Sequence, residues 1–424
     1  MVALRRFRSA AAERAVPAGE RACAEWFVEE LRDIGFSASV RDTPGQPITL
    51  GHDRASRGPS VLFCGHYETL TGLWRGKRGN GAGPSTAHRG RWCSTDQSVQ
   101  LMAFIEACRA WKAVAGQLPM PISVLIEGEG RSGSTRLTSF MRVYADELKA
   151  DIGLAPGIRI WCCAVPAINS MLRGVCCEEF TISPDTEQPV RRRRDGIAAD
   201  PSRILANILS DLHDPSGRVA IPGFYAGVET SHDVRGSASG TTDPPSVDVP
   251  VPEGDPGDAH VEAPPVWATC EIDSFSGSRT ISGRRFAASP RAWARLAFHL
   301  VYDQNPDAVR RAFRDFALAR IPPGSRIEFT SGISVPPVSF TTSHPGFRKV
   351  LQALTAEWGS EAVFTSGDAA SAVHALCEAL GMAVIVTSFP ERPDGCAGPR
   401  GPSELANYQA GIRSWVRILG ALAR

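Results

Sequence analysis

The feature that most constrains this chain is an alternation that occurs twice. Near the start, and again near the end, short apolar runs suited to buried strands alternate with amphipathic segments of helical period. In the first part Ala22, Trp26, Phe27 and Leu31 recur at helical spacing and Gly35 closes the segment. Ser60–Cys64 reads as a buried parallel strand, Leu101–Val114 as a helix and Ile122–Ile126 as the next strand. Ser134–Leu148 then reads as one helix and Asp151–Leu154 as a short strand. In the last part Phe347–Trp358, Ala369–Leu380 and Glu404–Leu422 read as helices, with Ala362–Phe364 and Ala383–Thr387 as strands. Gly381 falls where a helix C-cap glycine belongs. Such an order predicts an α/β domain with a mainly parallel sheet covered on both faces.

The middle follows a different pattern. Phe180–Ser183 reads as a strand and Pro201–Leu212 as a helix, and a long irregular stretch follows. No Lys or Arg occurs between Gly236 and Ser278, while Asp243, Asp248, Glu253, Asp255, Asp258 and Glu262 cluster there among seven prolines. That composition predicts an acidic loop without regular structure. Arg291–Val301 (strand), Asp307–Ala319 (helix) and Arg326–Thr330 (strand) complete a small α+β unit. At 424 residues the chain exceeds one ordinary core. The expected division is 1–174 and 339–424 for the discontinuous α/β domain, with 175–338 inserted.

Charge excludes some partners. The 46 basic and 45 acidic residues nearly cancel, so no basic field invites nucleic acid or an anionic membrane. Of the basic residues 42 are Arg and 4 are Lys, which we ascribe to coding bias. No apolar run approaches the roughly 18 residues that span a bilayer. Arg5, Arg6 and Arg8 are followed by Ser9, Glu13 and Arg14 where a signal peptide would have its apolar core, so a cytoplasmic protein is expected. The eleven cysteines are odd in number and include the adjacent pairs Cys162–Cys163 and Cys176–Cys177 but no C-x-x-C. They read as reduced, mostly buried thiols.

Three polar stretches follow predicted strands or precede predicted helices, where open α/β sheets carry their sites. Gly65-His66-Tyr67-Glu68 sets a histidine two residues before a carboxylate, a pattern that suits a metal ligand and its orienting partner as well as an ordinary satisfied histidine. Ser94-Thr95-Asp96-Gln97 by itself reads best as a helix N-cap. Glu127-Gly128-Glu129-Gly130-Arg131-Ser132-Gly133-Ser134 lacks the lysine and spacing of a phosphate loop.

Taken in order, these stretches resemble the family-20 metallopeptidases and amidases, which include carnosine-type dipeptidases, aminoacylases and acetylornithine deacetylases. The resemblance extends to Gln100-Leu101-Met102-Ala103-Phe104-Ile105-Glu106-Ala107, Met171-Leu172-Arg173-Gly174 and Gly411-Ile412-Arg413-Ser414-Trp415. It implies a doubly wound zinc-peptidase-like sheet domain with an inserted, ferredoxin-like lid that pairs two copies into a homodimer. It also implies a two-zinc amide hydrolase, whose metals lower the pKa of a bound water and polarise the scissile carbonyl. The matching positions here depart from that chemistry. His66 stands at the first ligand, Glu68 replaces its orienting Asp, and Asp96 stands at the bridging position. The Glu-Glu pair falls on Gly130 and Arg131, which can supply neither a base nor a ligand. A further Asp ligand aligns with Gly157 and the last His with Ala397. In the lid, a substrate-binding Asn aligns with Asp273, the substrate-clamping Arg with His299 and the neighbour-supplied His with Val190. The Gly-Gly-Ser turn becomes Gly367-Asp368-Ala369.

The expectation is therefore a protein that holds no metal and needs no cofactor. Its cleft keeps His66, Glu68, Asp96 and Arg131, with Asp368, His299 and Asp273 as candidate substrate contacts. Arg131 is expected beside Asp96, its guanidinium standing in for lost metal charge. Arg191–Arg194 reads as a solvated lid loop, and Cys93 and Cys396 as thiols beside former site positions. Metal-independent amide formation, cyclisation or elimination on an amino-acid- or peptide-like molecule is the leading reading. A non-catalytic pseudo-peptidase and a single-metal hydrolase using His66 and Asp96 are the alternatives.

Overall fold

The computed structural model describes residues 16–67, 97–128, 135–157, 165–185, 200–226, 228, 268–282, 285–367, 371–390 and 402–424. Two compact units emerge, Met1–Leu172 with Ser339–Arg424, and Arg173–Val338. The acidic, proline-rich stretch 240–263 and Arg191–Arg194 lie outside the described residues.

The first unit is built on β1 (Ser37–Arg41), β2 (Ile48–Asp53), β3 (Val61–His66), β4 (Ile122–Glu127), β5 (Ile152–Pro156), β6 (Ala167–Leu172), β11 (Val338–Ser339), β12 (Val363–Gly367) and β13 (Val384–Ser388). Their order is β1-β2-β4-β3-β5-β13-β6-β11, with β12 also paired to β6. Strands β4, β3, β5 and β13 run parallel, whereas β1–β2, β2–β4 and β13–β6 are antiparallel. The sheet is thus mixed, with the expected parallel pairing at its centre and antiparallel pairs toward its edges. The connection 42–47 between β1 and β2 is too short for a crossover helix, so those strands must turn back on each other.

Side chains of the central strands alternate between two apolar layers, as the pleat requires. Phe63, Val124 and Ile126 face one layer with α1 (Val16–Asp33), α2 (Gln97–Ala115), α7 (Pro345–Trp358) and α9 (Pro402–Leu422). Leu62, Cys64 and Leu125 face the other, with α3 (Thr135–Val143) and α8 (Ser371–Leu380). Gly381 has φ 61° and its N–H donates to the Cys377 carbonyl, a left-handed helix end that a side chain would strain. The expected single helix 134–148 is interrupted. Tyr144 leaves helical geometry (φ −103°, ψ 23°), and a short α4 (Ala145–Leu148) follows. The Tyr144 ring is held by Phe140 at 4.5 Å and by the Arg41 guanidinium at 5.4 Å.

The second unit is a four-stranded antiparallel sheet, β10-β7-β9-β8, of β7 (Gly174–Pro184), β8 (Thr269–Ser282), β9 (Arg285–Leu300) and β10 (Ser325–Val335). Helices α5 (Pro201–Ser210) and α6 (Pro306–Leu318) each begin with proline behind a capping side chain, Asp200 and Asn305. Phe180, Phe298 and Phe313 form its buried centre, with Phe313 5.4 Å from each of the others. Glu178 lies buried among them and is held by Arg310 (2.9 Å) and Arg314 (2.7 Å to Nε). Sequence periodicity missed β8 because register shifts at Ile272/Ser274 and Gly277/Arg279 break its period of two.

Candidate functional site

Because β3, β4, β5 and β13 are parallel, their C-terminal ends lie together, and this end gathers the polar residues. His66 closes β3 directly opposite Glu127, which closes β4. The Tyr67 N–H donates to the Glu127 carbonyl at 3.0 Å, extending the pairing one residue beyond the strand. Glu127 is a carboxylate only 3% exposed. It borders a small pocket lined in part by Gln46, Gly128 and Arg136. His66 is half-buried at the same edge.

The ends of β5 and β13 are joined in the same way. The Gly157 N–H donates to the Thr387 carbonyl at 2.7 Å. A Cβ at Gly157 would run into Ser388 Oγ and lie 3.0 Å from Asn169 Oδ1, so the space a side chain would need is already filled. Asn169 and Thr387 are fully buried, and Asn169 Nδ2 and Thr387 Oγ1 have no hydrogen-bond partner among the described residues. Ser388 Oγ lies 3.4 Å from Asn169 Oδ1. Gly367 backs onto the same amide, since a Cβ there would be 2.6 Å from Asn169 Nδ2. Two glycines and a serine thus close around one asparagine, leaving neutral donors and acceptors where a carboxylate has no room.

The residues singled out from sequence divide accordingly. His66 stands at the expected strand end. Glu68, Asp96, Arg131 and Asp368 lie outside the described residues, as do Val190, Cys93, Cys396 and Ala397. Their described neighbours are Tyr67, Gln97 (which opens α2), Gly128 and Gly367. His299 and Asp273 belong to the sheet of the second unit, where each has an acidic or basic neighbour. His299 Nε2 lies 3.4 Å from Glu271, and the exposed Asp273 lies 3.8 Å from Arg295. Arg295 is also paired with Glu179 at 3.0 Å.

Sequence reasoning passed over Glu127, Asn169, Thr387 and Ser388 as individual site residues. For Glu127 and the Thr387–Ser388 pair the signal was present, a polar residue immediately after an apolar strand run. Asn169 gave none, because its strand was not recognised. The seven described cysteines are free thiols, five of them buried. Burial pushes the Cys23 thiol up to about 12, and it raises Cys64 as well, with the Glu127 charge adding to the effect. Among the described residues no helix is long and apolar enough to cross a membrane.

No protein-family model matches the chain. A Cys-Gly metallodipeptidase of Schizosaccharomyces pombe is 27% identical over 205 residues, covering 46% of this chain and 43% of that protein. The match therefore spans less than half of the relative's length. An M20 family metallo-carboxypeptidase from Sulfolobus solfataricus superposes with a TM-score of 0.72 at 18% identity, over 100% of this chain and 98% of that one. Human carnosine dipeptidase 1 gives a TM-score of 0.71 at 15% identity, over 96% and 92% of the two chains. Over less than half of its length in sequence, and over nearly all of it in fold, the chain is similar to family-20 metallopeptidases.

Proposed function

We propose that this protein uses the metallopeptidase fold without a dinuclear zinc centre, acting on an amino-acid- or peptide-like molecule at the C-terminal end of its first sheet. The observation that carries the reading is Gly157, which aligns with a metal-binding aspartate and whose missing side chain has its space taken by Ser388 and Asn169. Gly130 and Arg131 at the aligned Glu-Glu positions, and Ala397 at the aligned His, point the same way. A working zinc site normally needs at least three protein ligands, and these residues do not fit one.

What remains suits acid–base and electrostatic work. His66 and the buried Glu127 close adjacent strands and are the proton-carrying groups of the reading. Glu68, Asp96, Arg131 and Asp368 complete the polar set in this proposal, and Arg131 supplies fixed positive charge where a metal would otherwise neutralise Asp96. Amide formation, cyclisation or elimination suits such a set, since none requires a metal-activated water. Homodimerisation through the inserted segment 175–338 belongs to the same proposal. The second reading is a pseudo-peptidase that binds its ligand unchanged. It is favoured by the orphaned Asn169 amide, which a bound carbonyl would satisfy without any chemistry.

The test is a thermal-shift series on the full chain with amino acids, dipeptides and cyclic amides, each run with and without a chelator. The chelator should leave the melting temperature unchanged, and a stabilising compound should be turned over in the metal-free protein. A compound bound but recovered intact supports the pseudo-peptidase. A metal present at about 1,000 times its Kd stabilises by about 4 kcal/mol, so a clear fall in melting temperature on chelation would contradict both readings.

A further inference from the structure

On the α3/α4 side of the first sheet, at the opposite end of β4 from Glu127, three residues from three elements form a hydrogen-bonded line. Ser123 of β4 and His52 of β2 are direct partners across the sheet. Ser123 Oγ lies 2.8 Å from His52 Nδ1, and His52 Nε2 lies 3.0 Å from Glu147 Oε1 on α4. Ser123 and Glu127 are four residue steps apart along the strand, about 13 Å at 3.3 Å per residue, so the cluster is not part of the site at the other end of β4.

We propose that Ser123, His52 and Glu147 form a second, serine-nucleophile site that hydrolyses small carboxylic esters. The tautomer follows from the partners. A carboxylate only accepts, so Nε2 must carry the proton that faces Glu147, and Nδ1 keeps its lone pair for the Ser123 hydroxyl, which donates to it. Burial lowers the His52 pKa below its ordinary value, the Arg54 and Arg41 charges push the same way, and Glu147 opposes them. The ring is therefore neutral near pH 7, the state a general base requires. Glu147 is itself held in place, by Arg41 at 3.0 Å and by Arg54, which donates to its backbone carbonyl at 2.9 Å. Ser123 and His52 are half-buried.

The reaction closes in two halves. Ser123 Oγ attacks the ester carbonyl while its proton passes to His52 Nδ1. The carbon–oxygen bond to the alcohol breaks, and that proton leaves with the departing alkoxide. Water then attacks the acyl-serine and gives a proton to His52, and the acid departs as the proton returns to Ser123 Oγ. A purely structural cross-strand network would have the same distances but no reactivity, which is what the experiment separates.

The probe is an alkyl fluorophosphonate applied to the full-length protein, with the adduct mapped by peptide mass spectrometry. The expected result is one adduct on Ser123 in the folded protein, abolished by heat denaturation and by Ser123→Ala. His52→Gln should slow labelling by about 100-fold or more, the contribution of a positioned general base. Glu147→Gln should slow it too while leaving the circular dichroism unchanged. No adduct on Ser123 in folded wild-type protein would overturn the proposal, a result that needs no variant to fold. Labelling at an undiminished rate in folded His52→Gln would overturn it equally.

Discussion

Replacing Trp415 by alanine should cost about 3–5 kcal/mol of unfolding free energy, the range for deleting a large aromatic from a packed core. The indole is fully buried on α9. It stands edge-on to a stacked pair, Phe63 and Phe104, at 5.5 and 5.4 Å, and Phe389 packs on it at 5.4 Å. These rings join the closing helix to β3, α2 and the residue after β13, so the cavity would open where both ends of the discontinuous domain meet. Trp415 Nε1 is buried without a hydrogen-bond partner among the described residues. Phenylalanine removes that orphaned donor and keeps most of the volume, so Trp415→Phe should cost far less, under about 1.5 kcal/mol. Urea unfolding of the three proteins checks this. Equal losses for Ala and Phe would mean that the packing described here is not what holds α9.

The second large effect is expected at Glu178 in the inserted unit. Its carboxylate is fully buried and receives Arg310 and Arg314 from α6, whereas Arg314 is about one-third exposed. Glu178→Ala leaves two cations facing an empty, desolvated position, and breaking such a pair costs about 3–5 kcal/mol when it is buried. The exposure of Arg314 moves the expectation toward the lower end. Replacing Glu178 with leucine and both arginines with methionine should recover much of the loss, since a well-packed apolar set is often as stable as a buried ion pair. Hydrogen exchange across β7 and α6 is the appropriate readout, because it reports this unit alone. Unchanged protection in Glu178→Ala would contradict the assignment.

Where the sequence was informative, the reason is physical. The runs at 60–64, 122–126 and 383–387 are strands buried almost throughout, so apolar composition marks them. Helices α2, α7 and α9 are long enough for their apolar stripes to stand out. Strand β1, Ser-Ala-Ser-Val-Arg, has no such signature, because it lies at the sheet edge with only Ala38 buried. Strand β6 carries Asn169 and Ser170 in its middle and so does not read as core, although Asn169 is fully buried. Its polarity is what makes it relevant to the candidate site. Tyr144 interrupts the helix 134–148 where its ring meets Arg41, a residue over 100 positions away, and no local pattern reveals that contact. His66 was legible as a strand-end residue. The crowding of Gly157 by Ser388 and Asn169 was not, because three strands that are distant in sequence create it.

The central claim is that this fold is retained while its dinuclear zinc chemistry is not. It is tested most directly by zinc stoichiometry, measured by elemental analysis after the full chain has been equilibrated with zinc and passed through gel filtration. The account predicts no stoichiometric zinc, because Gly157 has no room for a ligating side chain and Gly130, Arg131 and Ala397 supply none. Two zinc ions retained per chain would contradict it and would place this protein among the working metallopeptidases.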